Sequence, residues 1–272
     1  MNAPAPALRN APALLRENRD GIACLTMNRP EQRNTLSEAM LAAFAETLAD
    51  IAADRAVRAV VLAANGPVFC AGHDLKELTA RRSDADGGKR YFEHIMETCS
   101  SVMQAIVGLP QPVIGAVQGL ATAAGCQLVA TCDLAVASAE AKFCTPGVNI
   151  GLFCSTPMVA LSRNVAAKHA MEMLLTGGMI PAEEAQRIGL INRVVEPGSE
   201  TEAALALARK VAEKSALTVK IGKEAFYRQR EMSLAEAYRY ASQVMAENMM
   251  TRDAEEGICA VLDKRAPHWE DR

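Results

Sequence analysis

The chain has 272 residues, half of them hydrophobic and 22% charged, with a formal net charge of −3. That length holds one large α/β domain, or a main domain with a smaller helical appendage. The near-balanced charge excludes bulk affinity for nucleic acid or an anionic membrane, so small molecules or protein partners are expected.

The opening "MNAPAPALRNAPALLRENRD" has no apolar run of signal-peptide length, and residues 1–13 read as a flexible Ala/Pro tail. No segment approaches the roughly 18 uninterrupted apolar residues of a membrane span. Eight cysteines, at 24, 70, 99, 126, 132, 144, 154 and 259, form no CxxC pair and lie mostly inside apolar runs. Reduced core thiols in a cytoplasmic protein are therefore expected rather than disulfides or a zinc site.

Apolar, β-branched runs recur at 21–28, 57–64, 112–119, 132–138 and 191–195, with helical patterns between them. This alternation predicts a βα-type sheet protein. Ser37 is placed to cap a helix whose Met40, Phe44, Leu48 and Ile51 share one face, and a second helix carries Ile95, Val102 and Ile106. The charged, glycine-bearing stretch 79–90 predicts a mobile surface loop of the kind that borders a ligand cleft. Strand signals stop near residue 198, and residues 199–272 read as amphipathic helices following a core at 14–198.

No Walker loop, GxGxxG after a strand, nucleophile elbow or HExxH is present. The grouping of His73, Asp74 and Glu77 has no second cluster, so no metal site is expected. Two segments carry chemistry: "FCAGHDLKEL" (69–78) and "GLATAAGCQLVATCDLAVAS" (119–138). Each sets glycine and small residues where a strand ends and a helix begins, a place where backbone N–H groups are unpaired and favour negative charge. Two such donors converging would form an oxyanion hole; alternatively, Gly72 and Gly125 serve only close packing at strand–helix corners.

With "GIACLTMNRPEQRNTLSEAM" before them and "KFCTPGVNIGL", "AMEMLLTGGMIPAEEAQRIGLINRVV" and "EEGICAVLDKR" after, the chain resembles the enoyl-CoA hydratase/isomerase (crotonase) superfamily over roughly residues 14–265. The resemblance implies an α/β fold, a ClpP-like spiral of repeated ββα units, with a C-terminal helical trimerisation region. It implies an acyl-CoA thioester as ligand, no cofactor beyond coenzyme A itself, and homotrimers that often pair into hexamers. By position, the oxyanion donors would be the backbone N–H groups of His73 and Ala124. Coenzyme A contacts would fall to Arg33, Ala71 and Leu75, with Lys264 as a phosphate contact from its own or a neighbouring subunit.

The resemblance breaks at the family's two proton-transferring glutamates, whose positions hold Gln127 and Gly147. Neither residue titrates, and general acid–base groups contribute about 10² to 10⁴ each in rate. Weak hydration of a simple enoyl-CoA is expected. Open alternatives are another CoA-thioester reaction (isomerisation, hydrolysis or decarboxylation) with a relocated acid or base, His73 being its best titratable candidate, and a non-catalytic acyl-CoA binder or partner subunit.

Overall fold

The structure, a computed structural model, describes residues 11–272. Strands β1 (Leu14–Arg19) and β2 (Ile22–Met27) form an antiparallel pair that leads into helix α1 (Glu38–Ala53). Ser37 caps α1 by accepting from the Met40 N–H at 3.3 Å, and Met40, Phe44, Leu48 and Ile51 are buried, as their spacing requires. Residues 1–10 of the expected tail lie outside the described residues. Its last three are held: Arg29 donates to the carbonyls of Ala11 and Pro12, and Asn28 N–H donates to that of Ala13.

Three ββα units follow. The first is β3 (Ala59–Ala64), β4 (Val68–Cys70) and the helices α2 (Leu75–Ala80) and α3 (Lys89–Gly108); the second is β5 (Val113–Val117), β6 (Leu120–Thr122) and α4 (Ala124–Thr131). The third is β7 (Leu134–Ser138), β8 (Lys142–Cys144), a 3-10 turn at Pro146–Ile150 and α5 (Pro157–Asn164), with Pro157 in the first turn where its missing N–H costs nothing. Beyond them run α6 (Ala167–Thr176), β9 (Ile180–Pro181), α7 (Ala182–Arg187) and β10 (Arg193–Val195). Each unit gives its first strand to a sheet of order β1-β2-β3-β5-β7-β10 and its second to a sheet of order β4-β6-β8-β9. This is the spiral of repeated ββα units that the resemblance implies.

The continuous apolar runs arise because the larger sheet is buried on both faces. Val60, Leu62, Val113 and Val117 point into the main core with α1 and α3. Val61, Ile114 and Ala116 alternate to the other face, which Ala204, Leu205 and Ala208 of α8 (Glu200–Ala212) cover. The chain after residue 198 therefore begins by closing the sheet, then continues through α9 (Ala216–Gln229), α10 (Leu234–Met249) and α11 (Arg252–Leu262).

The stretch 79–90 differs from its expectation as a loop. It is exposed, but only 84–88 is irregular: its ends belong to α2, to a 3-10 turn at Arg81–Ser83 and to α3. Asp86 accepts from the Gly88 and Arg90 N–H groups at 3.0 and 3.1 Å, and the Arg81 guanidinium lies 4.7 Å from the centre of the Tyr91 ring. Such local pairings of charged groups are invisible to composition.

Candidate active site

The two glycine-bearing loops meet. At Gly72, φ is +83°, and a Cβ there would fall 3.1 Å from the Ala123 Cβ and 3.2 Å from the Ala124 nitrogen. The absent side chain lets the residue next to His73 lie against the first turn of α4. Gly125 is needed for the same reason from the other side: a Cβ there would sit 2.1 Å from the Cys70 carbonyl oxygen. The packing role considered for both glycines is therefore real, and it is what brings His73 and Ala124 into one neighbourhood.

Ala123 sets the entry to α4 with φ 51° and ψ −118°, a conformation that costs a residue with a Cβ about 1–3 kcal/mol. Its N–H donates to the Cys144 carbonyl at 2.9 Å, tying the turn to the end of β8. On the other loop, Leu36 N–H donates to the Gly72 carbonyl at 2.8 Å, and Leu36 and His73 form an isolated bridge. Neither the His73 nor the Ala124 N–H donates to an acceptor in the turns, loops and caps of the described residues. Ala124, as the first residue of its helix, has no intrahelical acceptor either.

Arg33, Ala71 and Leu75 are also gathered. The Ala71 N–H donates to the Arg33 carbonyl at 3.0 Å, and Leu75, 53% exposed, opens α2. Arg33 is exposed in a left-handed turn, and among the described residues its guanidinium has no hydrogen bond or ion pair. Asn34, which sequence reasoning passed over, holds this turn: fully buried, it accepts from the Arg29 N–H at 2.9 Å and donates to the Asn65 and Val68 carbonyls at 2.9 and 2.8 Å. Asp74 caps α2, accepting from the Lys76 and Glu77 N–H groups at 2.8 and 3.3 Å. Lys264 is not joined to this group by any hydrogen bond or ion pair of the described residues. It lies in the left-handed turn that follows α11.

The two positions that the resemblance assigns to the family's glutamates are closed in different ways. Gln127 is 4% exposed, one turn along α4 from Ala124, and its Oε1 is buried without a hydrogen-bond partner. At Gly147 a Cβ would lie 3.0 Å from both the Cys154 Sγ and the Leu152 carbonyl oxygen. Burial raises the Cys154 thiol pKa, while the Gly147 N–H bonded to the sulfur pulls it down. Burial likewise pushes the thiols of Cys70 and Cys132 up to about 12, so these sulfurs are packing atoms rather than nucleophiles. Burial also lowers the His73 pKa, against a weaker opposing pull from the Leu36 backbone; both ring nitrogens are buried without a partner.

Gln127 lines a cavity of about 730 Å³ between α3, α4, α5 and α9, with Met103, Val107, Val159 and Tyr227 among its walls. Helix α9 is pinned there by a buried ion pair that the sequence did not disclose. Lys223, 6% exposed, donates to Asp133 at 2.7 Å and to the carbonyls of Ile106 and Gln111, and Tyr227 donates to the same carboxylate at 2.9 Å. Asp133 was expected inside a strand; it instead precedes β7 and accepts from the Val113 N–H at 2.7 Å.

Comparison with known proteins bears on the family and the fold. A human protein, enoyl-CoA hydratase domain-containing protein 3, mitochondrial, is 47% identical over 250 residues, covering 92% of this chain and 81% of its own length. The solved structure of that human protein superposes with a TM-score of 0.90 at 47% identity, covering 94% of this chain and all of that one. A solved enoyl-CoA hydratase of Mycobacterium smegmatis has a TM-score of 0.90 at 51% identity, covering 95% and 99% of the two chains. The expectation of a cytoplasmic protein is corrected here, because relatives from five vertebrates, 44–48% identical, are all named as mitochondrial. Reduced thiols and the lack of a secretory run do not separate one reducing compartment from another. The enoyl-CoA hydratase/isomerase family model matches residues 17–272, and the chain belongs to that family.

Proposed function

We propose that this chain binds an acyl thioester of coenzyme A and polarises its carbonyl between the N–H groups of His73 and Ala124. The observation that carries this reading is the approach of Gly72 to the Ala124 nitrogen, which brings together two helix-start donors with no acceptor of their own. Donors fixed in this way bind a carbonyl oxygen more tightly as it gains negative charge, and donate without reorganising. Coenzyme A would run past Arg33, Ala71 and Leu75, with Lys264 reaching a phosphate from its own or a neighbouring subunit. The acyl chain would occupy the cavity beside Gln127.

Homotrimers, paired or unpaired, fit the apolar surface left on α10 and α11. Leu234, Tyr238, Met245, Val261 and Leu262 are each more than half exposed, which a lone chain would not favour.

Hydration by a glutamate pair is not open to this site: Gln127 cannot take a proton, and Cys154 and Leu152 occupy the space beside Gly147. A specific observation thus favours a second reading, an acyl-CoA binder or a catalyst with a relocated proton-transfer group. The experiment is incubation with a panel of acyl-CoAs, following turnover by mass spectrometry and binding by thermal shift. Stabilisation by CoA thioesters with little hydration of crotonyl-CoA is the expected result. Hydration at the rate of an efficient enzyme would overturn the account of the acid–base positions, and no stabilisation by any thioester would overturn the ligand.

A further inference from the structure

We infer that residues 268–272 form a strap that sets helix α9 against the core, and that Asp271 is thereby a positioning residue for the far end of a long acyl chain, although it lines no part of the cavity. The ligand, but not the strap, rests on the acyl-thioester reading above. Asp253, in the first turn of α11, is 2% exposed and forms no ion pair among the described residues. Its carboxylate instead accepts the Glu270 N–H at 2.7 Å and the Asp271 N–H at 3.0 Å, and its own N–H donates to the Arg272 carbonyl at 3.1 Å. A buried carboxylate is costly without such donors, so α11 and the strap hold each other in one register. The Trp269 indole N–H donates to the Glu213 carbonyl at 2.8 Å, and its ring covers Gly257, where a Cβ would come within 3.2 Å of it. Gly257, an unfavourable residue inside a helix, is explained by that ring.

From this dock Asp271 reaches two more elements. One oxygen accepts the N–H of Ala216, the first residue of α9, at 2.7 Å; the other pairs with Arg58, which precedes β3 and also donates to the Lys214 carbonyl at 2.6 Å. A carboxylate here takes up a donor that the helix leaves unpaired, and it complements the helix dipole. The anchor matters because no apolar residue of α9 is fully buried. Polar groups fix the helix instead: Asp271 at Ala216, and Asp133 at Lys223 and Tyr227. Lys220, Glu224 and Tyr227 share the face of α9 that lines the cavity, and Lys220 lies between the two anchors. Without Asp271 the Asp133 cluster is a pivot, and the wall on the Ala216 side is free to shift. A short acyl chain ends before that wall, whereas a long one packs against it.

The test compares the full chain with Asp271→Ala, by isothermal titration with butyryl-CoA and decanoyl-CoA and by amide hydrogen exchange. The variant is expected to bind decanoyl-CoA at least about 5-fold more weakly and butyryl-CoA within about 2-fold of wild type. Amides of α9 are expected to exchange about 10-fold faster and those of α1 at an unchanged rate. Asp253→Asn, which weakens the dock and leaves Asp271 in place, is expected to shift the same quantities in the same direction. Unchanged exchange in α9, equally faster exchange in α1, or equal losses for the two thioesters would each overturn the inference. If neither thioester binds wild type, the acyl-thioester reading falls, and the contrast in exchange between α9 and α1 decides whether the strap sets the helix.

Discussion

The Sγ of Cys154 accepts the Gly147 N–H at 3.3 Å and stands 3.0 Å from where a Cβ on Gly147 would be. The cysteine thus fills the space into which any side chain at 147 would have to grow. Gly147→Ala is expected to destabilise the fold by about 1 kcal/mol through overpacking, and Cys154→Ala in the same chain to recover part of the loss. Urea melts of the two single variants and the double variant measure this coupling. Strict additivity would show that the two sites do not compete for space.

The same contact bears on reconstruction of a hydratase. Gln127→Glu with Gly147→Glu places two carboxylates at the positions that the resemblance assigns to the family's glutamates, but the second meets Cys154 and the Leu152 carbonyl. The pair alone is expected to gain little crotonyl-CoA hydration, measured by loss of enoyl absorbance. Adding Cys154→Gly is expected to raise the rate over that pair.

Lys223→Met should cost about 3 kcal/mol, because it leaves the buried Asp133 carboxylate without its counter-charge, held only by Tyr227 and the Val113 N–H, and two backbone carbonyls without their donor. Denaturant titration reads the loss. A change below about 1 kcal/mol would mean that α9 is not held by this pair. The same variant frees one wall of the cavity, so acyl-CoA affinity should fall with stability.

His73 gives a pH signature. Burial lowers its pKa from the ordinary value of 6.5, so the unfolded chain binds the proton more readily than the folded one. Its contribution to stability is complete above pH 6.5 and is lost as the pH falls through the lowered folded value. Urea melts from pH 7.5 to 5 should show a decline that is shallower in His73→Gln. Since the proposed donor is the backbone N–H, His73→Gln should keep acyl-CoA affinity within about 3-fold at pH 7.5, while loss of binding would place the ring itself in the site.

How much of this could be read from the sequence depended on the range of the interaction. Ser37 and the Met40 to Ile51 face are local devices and were legible from spacing, as were the apolar runs that became β3, β5 and β7. The loop pair at Gly72 and Gly125 was legible as two helix starts, but their mutual approach depends on the spiral. Helix α9 falls within the helical region expected after residue 198, but the Lys223–Asp133–Tyr227 cluster was not foreseen: its members are spread over 95 positions, and burial of a lysine leaves no periodic mark. Asn34 was hidden for a related reason, since its partners Asn65 and Val68 lie on another turn of the chain.

A structure of the chain with a bound, unreactive acyl-CoA analogue tests the central claim most directly. The thioester oxygen is expected within about 3 Å of both the His73 and Ala124 nitrogens, with the acyl chain entering the cavity beside Gln127. A thioester bound with its carbonyl away from either nitrogen would contradict it.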